Sequence, residues 1–535
     1  MIKIKMNFIR RCVFFATVII GLPAFAQQRN LTWEELRKDY QFPKWYTEAR
    51  FGIWVHWGAQ TQPEKGGGWY ARHMYMQNVG KETWGKNAYP YHVKTYGHPS
   101  EKGFKDVIHE WKAERLNTDE LLKYFKSIGA KYFVALANHH DHFDNFASTY
   151  QPWNSVNVGP KKDLIGMFKK SAVKYGIPFG VSSHDDRFLS LWLTAFGADT
   201  SGPKKSVPYD GRMTKADGKG KWWDGLDPAD LYGLPPEKRT PQWIKGVKEN
   251  YVRRTEELVS KYDVDMLWFD GYGFPYGDYG KEVCTYYYNR SLKEHGKVTA
   301  LVAGKFENEP STAKDIERGG ATEILPYPWQ GTLTFGSWFY KKDEPIRHNA
   351  RTVIETLTDI MSKNGNLLLN VELLPDGTIP PDHKLILDTI GVWVNRNAEA
   401  IYASKPWKIY GDNLNGGKSQ KSISEADLDA VKKQTKSEDF NERTIASPPY
   451  PHNEIRFTTK GNTLYVFVLN PVPGAIEVPS LGLMSPYNSK KIISITLLGS
   501  SKKISFKQDD QKLQLVIPET PGDSHTKVFA LKGVL

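Results

Sequence analysis

Apolar residues fall in short continuous runs through roughly the first three quarters of the chain, and most of these runs end on a polar side chain. The runs cover 51–57, 131–137, 178–184, 264–271, 298–306 and 366–371. Runs of this length, bounded by turn residues, predict strands buried on both faces. Helical spacing lies between them. Residues 118–128 place Leu121, Leu122 and Phe125 on one face, with Asn117 as N-cap and Gly129 past the end. Further helices are expected near 163–175, over Pro241–Tyr262 with proline at its start, and near 351–362. Less regular runs at 314–317 and 324–330 complete the series. Strands alternating with helices predict a parallel sheet, and polar tips on nearly every strand favour a closed (β/α)8-type barrel. Residues 194–241, rich in Gly, Pro, Lys and Trp, form a long insertion of the kind that builds lids or walls.

The pattern changes near residue 400. From Ile455 the runs become short and alternate around turns such as Lys460-Gly461-Asn462, with further runs at 463–469, 492–498, 513–517 and 527–531. This predicts a C-terminal antiparallel β-sandwich, with the charged stretch 418–436 as a surface loop. The expected division is an export segment at 1–26, a catalytic barrel at 27–398 and the sandwich at 399–535.

At the N-terminus, Lys3, Lys5, Arg10 and Arg11 precede the apolar run Cys12–Leu22, which leads to Ala24-Phe25-Ala26. That arrangement predicts a cleaved signal and a periplasmic or secreted protein. The run is too short to span a membrane. Removing its four positive charges lowers the formal charge from +12 to +8. The remaining cations are scattered, which argues against nucleic acid as a partner. Of the two cysteines, only Cys284 lies beyond the signal, so an internal disulfide is excluded. Aromatic residues at 13% suit both a large core and the stacking of sugar rings.

Four strand tips carry chemistry: His56, the pair His139/His140, His184 and Asp270. A carboxylate at the end of a barrel strand can attack an anomeric carbon, and imidazoles can donate to and accept from sugar hydroxyls. Retention of configuration needs a second carboxyl about 5–5.5 Å away. A metal hydrolase is the rival, since 139–144 holds the right ligand types. Adjacent strand residues point to opposite faces, however, so the pair reaches one ion only if the strand breaks there. No metal or other cofactor is expected.

With these residues in place, the sequence resembles glycoside hydrolase family 29, the α-L-fucosidases. The resemblance is carried by Phe51-Gly52-Ile53-Trp54-Val55-His56-Trp57-Gly58, by the segment from Ala130 to Phe143 with its histidine pair, by Leu267-Trp268-Phe269-Asp270-Gly271, and by Leu367–Val371 with Asp376-Gly377. It implies a barrel followed by a sandwich, and a retaining exo-glycosidase with Asp270 as nucleophile. It implies a sugar pocket of His56, Trp69, Tyr70, His139, His140, His184 and Trp329. Among Glu307, Glu309, Glu317 and Glu323, Glu317 best matches the acid/base segment, and mechanism asks that burial and Asp270 keep it protonated at rest. One departure stands out: Gly68 occupies a position where many relatives carry an acid that binds sugar hydroxyls, so either Glu64 substitutes through the glycine loop or a different hydroxyl pattern is recognised. The expected partner is a fucosylated or L-galactose-containing glycan. An α-L-galactosidase is therefore the alternative, and a non-catalytic sugar-binding protein a lesser one.

Overall fold

Eight parallel strands close into a barrel in chain order: β1 (Phe51–Val55), β2 (Phe133–Asn138), β3 (Phe179–Ser183), β4 (Met266–Tyr272), β5 (Leu301–Lys305), β6 (Thr312–Glu317), β7 (Trp329–Thr334) and β8 (Gly365–Asn370). Closure is made by β1, which pairs Ile53 with Phe133 on one side and Phe51 with Leu367 on the other. The computed structural model describes residues 30–77, 87–307, 309–412, 450–520 and 522–535. The expected export segment 1–26 and the charged stretch 418–436 lie outside the described residues. Among those described, no helix is long and apolar enough to cross a membrane.

Strand alternation sorts the side chains into two layers. Phe51, Ile53, Leu267, Phe269, Val302, Leu367 and Leu369 join the larger core, together with residues of the surrounding helices. Trp54, Tyr132, Met266, Trp268, Leu301, Ala303, Ala313 and Leu368 form a separate cluster inside the barrel. Its filling is aromatic: Trp54 and Trp268 lie 4.5 Å apart. Gly52 leaves room for it, since a Cβ there would stand 2.4 Å from the Tyr132 ring. Carrying the inward register upward by two residues reaches His56, Asp270, Lys305 and, above Ala313 and Asp315, Glu317. The barrel interior is thus packed below and polar at its C-terminal rim.

The expected helices are present at Thr118–Ser127, Leu164–Tyr175, Pro241–Tyr262 and Ala350–Ser362. Asn117 caps the first through Glu120 N, and Thr240 caps the third through Trp243 N. The insertion is a fixed wall. Buried Asp199 accepts from Tyr89 and Tyr209 hydroxyls at 2.7 and 2.6 Å, and buried Asp210 accepts from Tyr75 and Tyr232 at 2.7 Å. Thr194 Oγ1 donates to Arg72 O at 2.9 Å, which joins this wall to the short helix Tyr70–His73. Cys284 is a buried free thiol.

Beyond the barrel, β9 (Lys405–Pro406), β10 (Glu454–Lys460), β11 (Thr463–Leu469), β12 (Gly474–Val478), β13 (Ser494–Leu497), β14 (Phe506–Gln508), β15 (Leu513–Ile517) and β16 (Lys527–Lys532) make two antiparallel sheets, ordered β13-β16-β11-β10-β9 and β12-β15-β14. They share one apolar core that includes Phe457, Val466, Val478, Leu515 and Phe529. A buried ion pair ties this unit to the barrel: Arg456 Nε lies 2.7 Å from Asp359 Oδ1 on the helix Ala350–Ser362.

Candidate active site

Asp270 lies on the inward register of β4, in a bulge between Phe269 and Tyr272, and is followed by the left-handed residues Gly271 and Gly273. The strand therefore delivers the carboxylate to the rim and the chain turns away behind it. Lys305 Nζ, at the end of β5, stands 2.8 Å from Asp270 Oδ1. His140 Nε2 and His184 Nδ1 stand 3.3 and 3.7 Å from Oδ2. Burial alone would raise this carboxyl, but the Lys305 ammonium and the two imidazoles outweigh it and hold Asp270 well below the usual carboxylate range.

Lys305 also reaches the candidate proton donor. Its Nζ lies 2.6 Å from Glu317 Oε2 at the end of β6. Oxygens held at 2.8 and 2.6 Å from one nitrogen cannot stand further apart than the about 5–5.5 Å that a retaining pair uses. In this resting arrangement the neighbours of Glu317 oppose its expected protonation. Burial pushes it up, but Lys305 and Arg318 outweigh burial and lower it. Lys305 itself is raised: burial opposes its charge, and the two carboxylates more than compensate.

The imidazoles arrive with defined tautomers. β2 ends at Asn138 and the chain turns at once, so His139 and His140 both face the cluster instead of opposite sides. Asn370 Nδ2 donates to Trp338 O at 2.9 Å, which leaves Asn370 Oδ1 to accept from His56 Nδ1 at 3.1 Å. His56 therefore carries its proton on Nδ1. Gln60 Oε1 accepts from Ala71 N, so Gln60 Nε2 donates to His139 Nδ1 at 2.9 Å. His139 consequently carries its proton on Nε2. His140 Nδ1 donates to the carbonyl of His184. Burial lowers His56 and His139 well below the ordinary imidazole range and takes His184 down to about 4. Neutral rings with opposite free functions, one accepting and one donating, suit adjacent sugar hydroxyls. Trp69 covers this cluster, with its ring 5.3 Å from that of His140.

His139, His140 and His184 offer nitrogens within 4.8 Å of one another, so distance alone would let them approach one ion. Their occupied Nδ1 atoms and the carboxylate contacts suit hydrogen bonding to a sugar at least as well.

Two expected pocket residues are not in it. Tyr70 follows Trp69 into a helical turn, which rotates it inward; it is fully buried and its hydroxyl pairs with His92 Nδ1 at 2.8 Å. Trp329 was placed near the end of a run at 324–330, but it is the first residue of β7. It therefore sits at the opposite end of the barrel from the rim, fully buried, donating to Lys363 O at 2.8 Å. Of the other glutamates, Glu309 is taken up by Trp33 Nε1 and Arg37, and Glu307 and Glu323 are exposed. At Gly68 (φ +111°) an added Cβ would stand 2.9 Å from the Phe339 ring and 3.6 Å from His139 Cε1. The aromatic ring fills the space that a larger residue at 68 would need.

Sequence reasoning missed Lys305, Asn370 and Gln60. The first had a readable signal, because Leu301 and Ala303 set an inward register that Lys305 continues. Asn370 lies in the motif Leu367–Val371, but its role, like that of Gln60, is set by a partner from a distant segment.

Comparison with known proteins is in keeping with this geometry. The family model described as alpha-L-fucosidase matches residues 19–399. The chain is 25% identical over 523 residues to the tissue alpha-L-fucosidase of Rattus norvegicus, covering 94% of this chain and 93% of that protein. It is 25% identical over 415 residues to an alpha-L-fucosidase of Dictyostelium discoideum, covering 75% and 80%. Among solved structures, Thermotoga maritima alpha-fucosidase in complex with a mechanism-based inhibitor superposes with a TM-score of 0.65 at 25% identity, covering 94% of this chain and 99% of that one.

Proposed function

The chain belongs to the α-L-fucosidase family, and from that premise we propose that it hydrolyses terminal α-L-fucosyl residues of glycans with net retention of configuration. The observation that carries this reading is the Asp270 carboxylate, kept ionised at the barrel rim between Lys305 and two imidazoles. In the first half-reaction an Asp270 oxygen bonds to C1 as the bond from C1 to the leaving oxygen breaks, and Glu317 gives that oxygen a proton. In the second, Glu317 takes a proton from water, whose oxygen attacks C1 and releases Asp270. With Lys305 bridging both carboxylates, Glu317 is held toward its ionised form. Turnover therefore requires the bridge to open as the sugar enters, after which burial returns Glu317 to the protonated side.

The test is hydrolysis of an aryl α-L-fucoside followed by NMR: α-L-fucose must be the first anomer released. Glu317→Ala should lose activity on poor leaving groups and much less on activated aryl glycosides; equal loss on both would move the proton donor elsewhere. Turnover should be indifferent to a chelator, and loss restored by zinc would revive the metal reading.

The space at Gly68, closed by Phe339, favours one second reading. Without an acid there, the site reads the sugar's hydroxyls differently, and α-L-galactosides enter as substrates. An apolar wall rejects one added hydroxyl by only about 10²-fold. The ratio of kcat/KM for aryl α-L-fucoside and α-L-galactoside decides between the two. Export follows from the N-terminal pattern, and a mature mass starting at Gln27 is the expected result.

A further inference from the structure

A third carboxyl stands beside the nucleophile. Asp186 lies in the turn Asp185–Arg187 that follows β3. The ligand atoms of Asp186, His140 and Asp270 all lie within 4.8 Å of one another. Asp186 Oδ1 is buried and has no hydrogen-bond partner; the nearest cationic candidate, His140 Nδ1, is 3.7 Å away and donates to His184 O instead. Behind it the fit is tight, since a Cβ on Gly271 would stand 2.5 Å from Asp186 Oδ2. Its neighbour Asp185 is clamped by Arg254 Nη1 at 2.9 Å, His142 Nδ1 at 2.6 Å and, through its carbonyl, the Tyr276 hydroxyl at 2.7 Å. An unpaired polar atom on so rigid a support is poised for a ligand.

Geometry narrows what that ligand group is. When Asp270 attacks, its oxygen is about 3–3.5 Å from C1. The leaving oxygen points away from the nucleophile, because displacement is in line. The ring oxygen has no proton and repels a carboxylate. The remaining polar substituent near C1 is the hydroxyl on C2, which can donate. We propose that Asp186 is a specificity-determining residue whose carboxyl accepts a hydrogen bond from the sugar's 2-hydroxyl. This inference rests on the α-L-fucosidase reading and deepens it.

The contact tightens as the reaction proceeds. Burial first, and then the Asp270 charge, push Asp186 up to about 6, against the lowering influence of His140 and Arg187; Asp185 adds to the rise. Tyr276, buried beside this turn, stays neutral at working pH. Formation of the glycosyl ester removes the Asp270 charge. Asp186 then ionises more readily, as positive charge develops at C1, so its hydrogen bond to the 2-hydroxyl is strongest in the transition state.

The experiment compares wild type, Asp186→Ala and Asp186→Asn on an aryl α-L-fucoside and its 2-deoxy analogue. On the fucoside, Asp186→Ala should lose about 10²-fold in kcat/KM. On the 2-deoxy analogue the loss should be under about threefold, because the partner is already gone. Asp186→Asn, of the same shape, should retain the fold and abolish the part of the acid limb near pH 6. Equal losses on both substrates, or no loss on either, would overturn the proposal. A wild-type enzyme inactive on the fucoside would sink the family-level reading itself, a different and recognisable failure.

Discussion

Among the buried cations that bridge two carboxylates in the described residues, which include Lys105 and Arg456, Arg254 and Lys305 are built differently. Arg254, on the helix Pro241–Tyr262, grips Asp144 through Nη2 at 2.5 Å and Nε at 3.1 Å, and holds Asp185 through Nη1 at 2.9 Å. The three side chains are only 2%, 0% and 1% exposed. Lys305 meets Asp270 and Glu317 with one ammonium, and there the exposures are 12%, 13% and 30%. A planar fork in a sealed site is locked by its geometry, whereas a point charge on a flexible stem at an open rim can give way. The first arrangement is scaffold: it fixes the turn that carries Asp185 and Asp186. The second sets the charges of the proposed nucleophile and proton donor, and in the proposed mechanism it opens when the sugar enters.

The contrast breaks most severely at the proposed nucleophile. Asp270→Ala should cut turnover by at least about 10⁴-fold, with azide restoring part of it and giving the β-fucosyl azide. Near-normal rates in that variant would remove Asp270 from the chemistry. Arg254→Met should cost about 3–5 kcal/mol of folding stability, because it strands two buried carboxylates. A denaturant titration reads this, and unchanged stability would show that Arg254 does not hold the scaffold of this turn.

Lys305→Met should do the reverse, with a smaller change in stability and about a 10²-fold loss of kcat/KM. The sign of its pH effect follows from the charges. Asp270 is lowered because Lys305 and the imidazoles overcome burial. Without the ammonium its pKa rises, so the acid limb of kcat/KM must move to higher pH. An unmoved limb would show that Lys305 does not govern the nucleophile. The smallest effect is expected at Tyr70→Phe, which loses one buried hydrogen bond, to His92. That should lower stability by about 0.5–1.5 kcal/mol and leave activity within about twofold. A large loss of activity there would restore Tyr70 to the pocket.

The sequence by itself determined the alternation of strands and helices and the turn to short β runs near residue 400. It also determined the carboxylate at the end of the β4 run and the histidines at the tips of β1, β2 and β3. These are consequences of local periodicity, and periodicity is written in neighbouring residues. Only the tertiary structure decided the end of β7 at which Trp329 lies, because shifting the start of a strand by a few residues moves a side chain from rim to base. It decided too that Tyr70 turns inward while Trp69 does not. Most of all, it set the protonation of the site. Glu317 read alone is an acid that should hold its proton; half-buried beside Lys305 from the adjacent strand, it is pulled toward the ionised form. Charge and pKa depend on distances between segments far apart in the chain, and those distances exist only once the barrel has closed.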